Sequence, residues 1–144
     1  MKISTKGRYA LRMMLDLSLH DTGEFISLRD ISQRQNITVK YLEQIVTVLT
    51  RAGFVRSQRG NNGGYKLTRE PKEYTVGDIL RVMEGSLNPV ACVAEAGMCD
   101  MSADCAVLPF WKNFAKVINN YVDSVTLQDL KDQAQAMIGN DFVI

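Results

Sequence analysis

The chain has 144 residues, 46% of them hydrophobic, and three prolines, enough for one ordinary core plus an oligomerisation element but not for two independent domains. The amino terminus Met1-Lys2-Ile3-Ser4-Thr5-Lys6 lacks the form of a secretory signal, and no apolar run approaches the roughly 18 residues of a membrane span. A soluble, cytoplasmic chain with no membrane partner is expected. The net charge of +1 conceals an asymmetry: residues 1–72 hold 13 Lys and Arg against 6 Asp and Glu, a balance of +7, whereas residues 73–144 hold 4 against 10, a balance of −6. The basic front supplies the phosphate attraction that dominates DNA affinity, and the acidic rear must face elsewhere.

Leu11, Met14, Leu15 and Leu19 recur at helical spacing, which predicts a first amphipathic helix from near Thr5 to about His20. Asp21-Thr22-Gly23 ends it. Ser27-Leu28-Arg29-Asp30 has the form of a capping box and opens a short second helix carrying Leu28 and Ile31, and Thr38 then caps a third. In the third helix Leu42, Ile45, Val46 and Leu49 form one stripe, while Lys40, Glu43, Gln44 and Thr47 repeat the spacing on the opposite side. Two short helices joined by a tight turn, the second with a buried and an exposed stripe, are what a helix-turn-helix needs to lay one helix in the major groove.

Phe54 to Gln58, the turn Arg59-Gly60-Asn61-Asn62-Gly63-Gly64, and Tyr65 to Thr68 read as a strand, a glycine-rich turn and a second strand. A hairpin at this place is a wing, with Arg59 suited to a narrow, electronegative minor groove. Thr75-Val76-Gly77-Asp78 caps a fourth helix ending at Gly85. Residues 86–108 show no period and are expected to form an irregular loop. Pro109 then suits the first turn of a long helix whose apolar stripe is Phe110, Phe114, Val117, Ile118, Tyr121 and Val125. So long a stripe is expected to pack against a second copy, which would repeat the recognition helix about 34 Å away and match a pseudo-palindromic double-stranded DNA operator. Thr126-Leu127-Gln128-Asp129 opens a last helix, and the chain after Gly139 is expected to be loose.

Cys92, Cys99 and Cys105 are the only cysteines, spaced C-x6-C-x5-C inside the irregular loop. An odd count argues against a disulfide framework, and thiolates suit iron–sulfur clusters or zinc. Structural zinc sites use C-x2–4-C pairs and four protein ligands, so an iron–sulfur cluster is the preferred metal reading, with free thiols or a reversible thiol switch as alternatives. With one histidine, no C-x-x-C and no P-loop, an enzyme is not expected.

Met1-Lys2-Ile3-Ser4-Thr5-Lys6-Gly7-Arg8-Tyr9-Ala10, Tyr41-Leu42-Glu43-Gln44, Arg59-Gly60, Gly63-Gly64-Tyr65 and Thr126-Leu127-Gln128-Asp129-Leu130 together resemble the Rrf-type (Rrf-two) family of winged-helix regulators, and within it the iron–sulfur cluster (IscR-like) branch. The resemblance implies a mainly α fold with a small β-hairpin wing: a winged helix-turn-helix domain over 1–85, a cluster loop over 86–108, a dimerisation helix and C-terminal helix over 109–137, and a flexible tail over 138–144. It implies a transcription regulator that is a homodimer through Phe110, Phe114, Val117, Ile118 and Tyr121, with a cluster on Cys92, Cys99 and Cys105. Base reading falls to Lys40, Glu43, Gln44 and Arg59, and the phosphate and wing contacts to Lys2, Thr5, Lys6, Tyr41 and Gly60. Glu can accept from cytosine and Gln can pair with adenine, as base readout needs.

Three positions depart from the branch: Leu108 stands where a histidine ligand is found, Arg8 where some relatives place an acidic one, and Lys40 where the reading helix carries a small polar residue, which implies a different operator. The fourth ligand is open among Glu95, Asp100, Asp104 and a residue of the second copy, and with it the choice between [2Fe–2S] and [4Fe–4S]. A cluster-free regulator controlled by thiol oxidation or a partner protein is the alternative.

Overall fold

The computed structural model describes residues 2–94 and 103–141. Helix α1 (Thr5–Leu19) is the central element. It buries Ala10, Met13, Met14 and Leu17, so that of the expected stripe only Met14 is fully buried while Leu11, Leu15 and Leu19 are half-buried, and it packs against the second, third, fourth and last helices. Ser4 caps it by accepting from the Gly7 N–H, which satisfies one of the donors that a helix start leaves free. Helices α2 (Leu28–Gln35) and α3 (Val39–Arg51) follow, capped by Ser27 and Thr38 as their sequence predicts. In α2 only half of the expected box forms, the Ser27 hydroxyl accepting from the Asp30 N–H at 3.1 Å. All four members of the α3 stripe, Leu42, Ile45, Val46 and Leu49, are buried, each worth about 1.5–3 kcal/mol against exposure.

Strands β1 (Val55–Gln58) and β2 (Gly64–Leu67) pair antiparallel, with Val55 opposite Leu67 and Gln58 opposite Gly64. Ile26 adds a third, one-residue strand, its N–H donating to the Tyr65 carbonyl at 2.9 Å and its carbonyl accepting from the Tyr65 N–H at 2.7 Å. After a single turn of 3-10 helix over Pro71–Glu73, the fully buried Tyr74 donates its hydroxyl to the Phe54 carbonyl at 2.7 Å and accepts from the N–H groups of Thr68 and Arg69. That one phenol closes the base of the hairpin onto the core.

Helix α4 (Val76–Glu84) starts with the full Thr75/Asp78 capping box. The region 86–108, expected to be irregular throughout, contains a short helix α5 (Ala91–Ala94), too brief to leave a periodic signal. Helix α6 (Leu108–Ser124) carries Pro109 in its first turn, as expected. Val125, placed on its apolar stripe by the sequence, lies beyond its end: the Val125 carbonyl accepts from the Val76 N–H at 2.8 Å and its backbone is extended. The pairing of Thr75 with Thr126 sets the starts of α4 and α7 side by side. Helix α7 (Leu127–Asp141) opens with a complete Thr126/Asp129 box and runs through Gly139, where the sequence led us to expect a loose tail; residues 142–144 lie outside the described residues. No helix is long and apolar enough to cross a membrane among the described residues.

Candidate nucleic-acid interface

The turn between α2 and α3 is made by Asn36, which adopts the left-handed conformation at φ 54°, followed by the buried Ile37. Asn tolerates that region better than other side chains. The turn aims α3 so that Lys40, Glu43, Gln44 and Thr47 are all exposed on the side opposite its buried stripe. The Thr47 hydroxyl is spent on the Glu43 carbonyl at 2.7 Å, leaving Lys40, Glu43 and Gln44 as the outward polar groups of the first turns.

Two contacts that the sequence did not disclose fix α2 and α3 against α1. Asp16, 0% exposed, accepts from Arg34 Nε at 3.0 Å and Nη2 at 2.8 Å and from Gln35 Nε2 at 3.0 Å. This hydrogen bonding holds the Arg34 guanidinium charged more firmly than usual. Tyr41, at the start of α3, meets Tyr9 of α1 edge-on at 5.5 Å, which brings one expected phosphate-contacting residue beside the helix that carries two others. Thr5 and Lys6 are exposed in the first turn of α1, with the Thr5 hydroxyl accepting from Arg8, and Lys2 is exposed just ahead of it.

Arg59 and Gly60 are exposed at the hairpin tip, where Gly60 has φ +109° and its carbonyl accepts from the Gly63 N–H. The register sets Arg56 directly opposite Lys66, an arrangement that repels. Phe25 resolves it. Both cations lie against its ring, at 5.7 and 5.5 Å from the centroid, and Lys66 donates to the Gly23 carbonyl at 2.8 Å. The wing is thus braced against the α1–α2 connection by Phe25 and Ile26, residues whose role had no sequence signal beyond a short apolar pair.

Cys92 lies in α5 and Cys105 just before α6; both are half-buried, while Cys99, Glu95 and Asp100 lie outside the described residues. Helix α5 packs on α6, and Asn119 of α6 donates to the Asn88 side chain at 3.4 Å, anchoring the start of the loop. His20 is occupied at the far end of α1, its Nδ1 3.0 Å from the Asp16 carbonyl. Arg8 is exposed, and so is Asp104 beside Cys105. Among the described residues no three His, Cys, Asp or Glu form a metal-ready group. The donor chemistry of the segment, three thiols with a carboxylate adjoining one of them, fits a thiolate-held cluster with its fourth ligand unassigned.

On α6 only Ala115 is buried. Phe110 is 58% exposed, Val117 67% and Tyr121 67%, with Phe114 also exposed and Ile118 half-buried. Phe110, Trp111 and Phe114 form an aromatic cluster with centroids 5.0–6.0 Å apart. Phe110, Phe114, Val117 and Tyr121 thus give α6 an exposed, largely apolar face.

The family model Rrf2, described as an iron-dependent transcriptional regulator, matches residues 3–133. Protein rrf2 of Nitratidesulfovibrio vulgaris is 38% identical over 134 residues, covering 93% of this chain and 89% of that one. The structure of CymR, the global cysteine regulator of B. subtilis, superposes with a TM-score of 0.78 at 40% identity, covering 92% of this chain and 98% of that one. The structure of T. potens IscR gives a TM-score of 0.72 at 40% identity, covering 93% and 88%.

Proposed function

The chain belongs to the Rrf2 family and is a transcriptional regulator, not an enzyme, and from that premise we propose that it is a homodimer binding a pseudo-palindromic DNA operator under the control of an iron–sulfur cluster on Cys92, Cys99 and Cys105. The observation that carries the DNA reading is the exposed Lys40, Glu43 and Gln44 on a helix whose other side is wholly buried, next to a braced basic wing. In this reading residues 1–85 bind DNA, 86–108 sense, and 109–137 dimerise. Lys40, Glu43 and Gln44 read base edges and Arg59 enters the minor groove; Lys2, Thr5, Lys6 and Tyr41, with the wing backbone at Gly60, set register on the phosphates.

When bound, a cluster supplies thiolate–iron bonds that oxidation, iron loss or nitric oxide can break. Cys92 on α5 and Cys105 ahead of α6 bracket the sensing segment, so their ligation tethers that segment to the helix bearing Phe110, Phe114, Val117, Ile118 and Tyr121. The relative setting of the two reading heads then follows the state of the cysteines. The likeness to the cysteine regulator of B. subtilis favours a second reading, in which the chain binds DNA without a cluster and its thiols or a partner protein exert control.

Anaerobic purification with visible absorption and iron and sulfide analysis, repeated on Cys92→Ala, separates the two. Thiolate-to-iron bands with matching iron and sulfide, lost in the variant, support the cluster and assign it as [2Fe–2S] or [4Fe–4S]. A colourless chain that stays iron-free after reconstitution yet binds DNA supports the second reading. Equal affinity and sequence preference of loaded and apo protein at matched salt would sink cluster control.

A further inference from the structure

We infer that Glu84, at the carboxy-terminal end of α4, is a positioning residue for the amino-terminal phosphate grip, holding Ser4 so that Lys2, Thr5 and Lys6 meet DNA together; this rests on the DNA-binding reading above. The Ser4 N–H donates to Glu84 Oε1 at 3.0 Å, and the Ser4 hydroxyl donates to the same oxygen. The hydroxyl oxygen in turn accepts from the Gly7 N–H at 3.1 Å, so one carboxylate oxygen fixes both the cap of α1 and the extended segment before it. The contact joins residues 80 positions apart in sequence and ties the segment ahead of α1 to the end of α4.

Electrostatics alone would not put a carboxylate here. The last turn of α4 presents the negative end of its helix dipole, which disfavours an anion. Among the described residues Glu84 has no ion-pair partner, and its charge opposes the phosphates that Lys2 and Lys6 would attract. Gly7 points the same way. A Cβ at that position would overlap the Glu84 carboxylate, so a residue costing about 1 kcal/mol of helix propensity relative to alanine sits in the first turn of α1 and leaves the approach open.

The test needs no operator: binding of a mixed-sequence duplex of about 30 base pairs, three helical turns, is followed by fluorescence anisotropy over a salt series, with thermal melts alongside. Glu84→Gln removes the charge but keeps an oxygen able to accept both Ser4 bonds, so it should bind at least as tightly as wild type. Glu84→Ala should bind about tenfold more weakly than Glu84→Gln, with a shallower dependence of log K on log salt as lysine contacts are lost. Gly7→Ala displaces a flexible carboxylate and presses only on the Ile3 side chain besides, so it should still fold, with a melting temperature within a few degrees of wild type, and still lose affinity, which keeps the inference testable if Glu84→Ala does not fold. Equal or tighter binding by Glu84→Ala than by Glu84→Gln, or undiminished binding by Gly7→Ala, overturns the positioning role while leaving DNA binding intact. Absence of salt-dependent binding by the wild-type chain removes the DNA-binding reading itself, and this inference with it.

Discussion

Arg34 donates through Nε and Nη2 to both oxygens of Asp16, a carboxylate with no solvent exposure, and so locks α2 to α1. Gln35 gives the same carboxylate a third bond, and Arg12 reaches from α1 to the Gln35 side chain and carbonyl. The lock fixes the end of α2, from which the Asn36 turn leads into α3. Asp16→Ala should therefore destabilise the fold by about 2–3 kcal/mol, less than for a fully enclosed pair because Arg34 is 33% exposed and can turn to water. A shift below about 0.5 kcal/mol in urea unfolding would show the lock to be idle.

Gly64, at φ +152°, lies where a side chain would run into the Ile26 carbonyl, the partner of Tyr65 in the bridge that braces the wing. The obstacle is backbone, which cannot swing aside. Gly64→Ala should cost about 2 kcal/mol or more and weaken DNA binding through a displaced Arg59. Amide hydrogen exchange at Ile26 and Tyr65 reports the bridge directly; unchanged protection in the variant would refute the account.

What could be read from the residues in order was whatever depends on neighbours in sequence. Ser27, Thr38, Thr75 and Thr126 announce their helices, and each caps as announced. The α3 stripe, the hairpin and the exposed face of α6 were legible because helix and strand periods expose them. The Asp16 lock was not, since a charged residue in an amphipathic helix reads as solvated until its partners 18 and 19 positions on are folded against it. Ile26 and Phe25 were invisible as wing supports because one bridging residue has no period. Val125 was misassigned for the reverse reason: its spacing fits the α6 stripe, but the bond from Val76 pulls it out of the helix.

Arg81 of α4 donates to both oxygens of Asp123 on α6, at 2.7 and 3.0 Å, and to Asn119 at 2.8 Å. These hydrogen bonds hold the Asp123 carboxyl below its ordinary range and keep Arg81 charged. A carboxyl depressed in the folded state adds stability above its unfolded pKa, about 3.9, and loses it as pH falls through the lower folded value. Asp123 is 45% exposed, so the contribution should stay within about 1 kcal/mol. The stability gap between wild type and Asp123→Asn should be level above about pH 5 and close below about pH 4. A gap that widens with acid would contradict the assigned pair.

Phe114 and Tyr121 lie two turns apart on the same face of α6 and are largely exposed, for only Ala115 of that helix is buried. A charge on that face should therefore spare the fold and abolish self-association, because an interface core made of aromatic side chains loses its water exclusion when a carboxylate enters it. Phe114→Asp with Tyr121→Asp is expected to sediment as a monomer with a melting profile that no longer depends on protein concentration. On a palindromic duplex it should bind as a half-site reader, with the salt slope roughly halved as half the phosphate contacts go. A variant that remains dimeric would move the interface away from α6, to the exposed Met137 and Ile138 near the end of α7 as the next apolar surface to mutate.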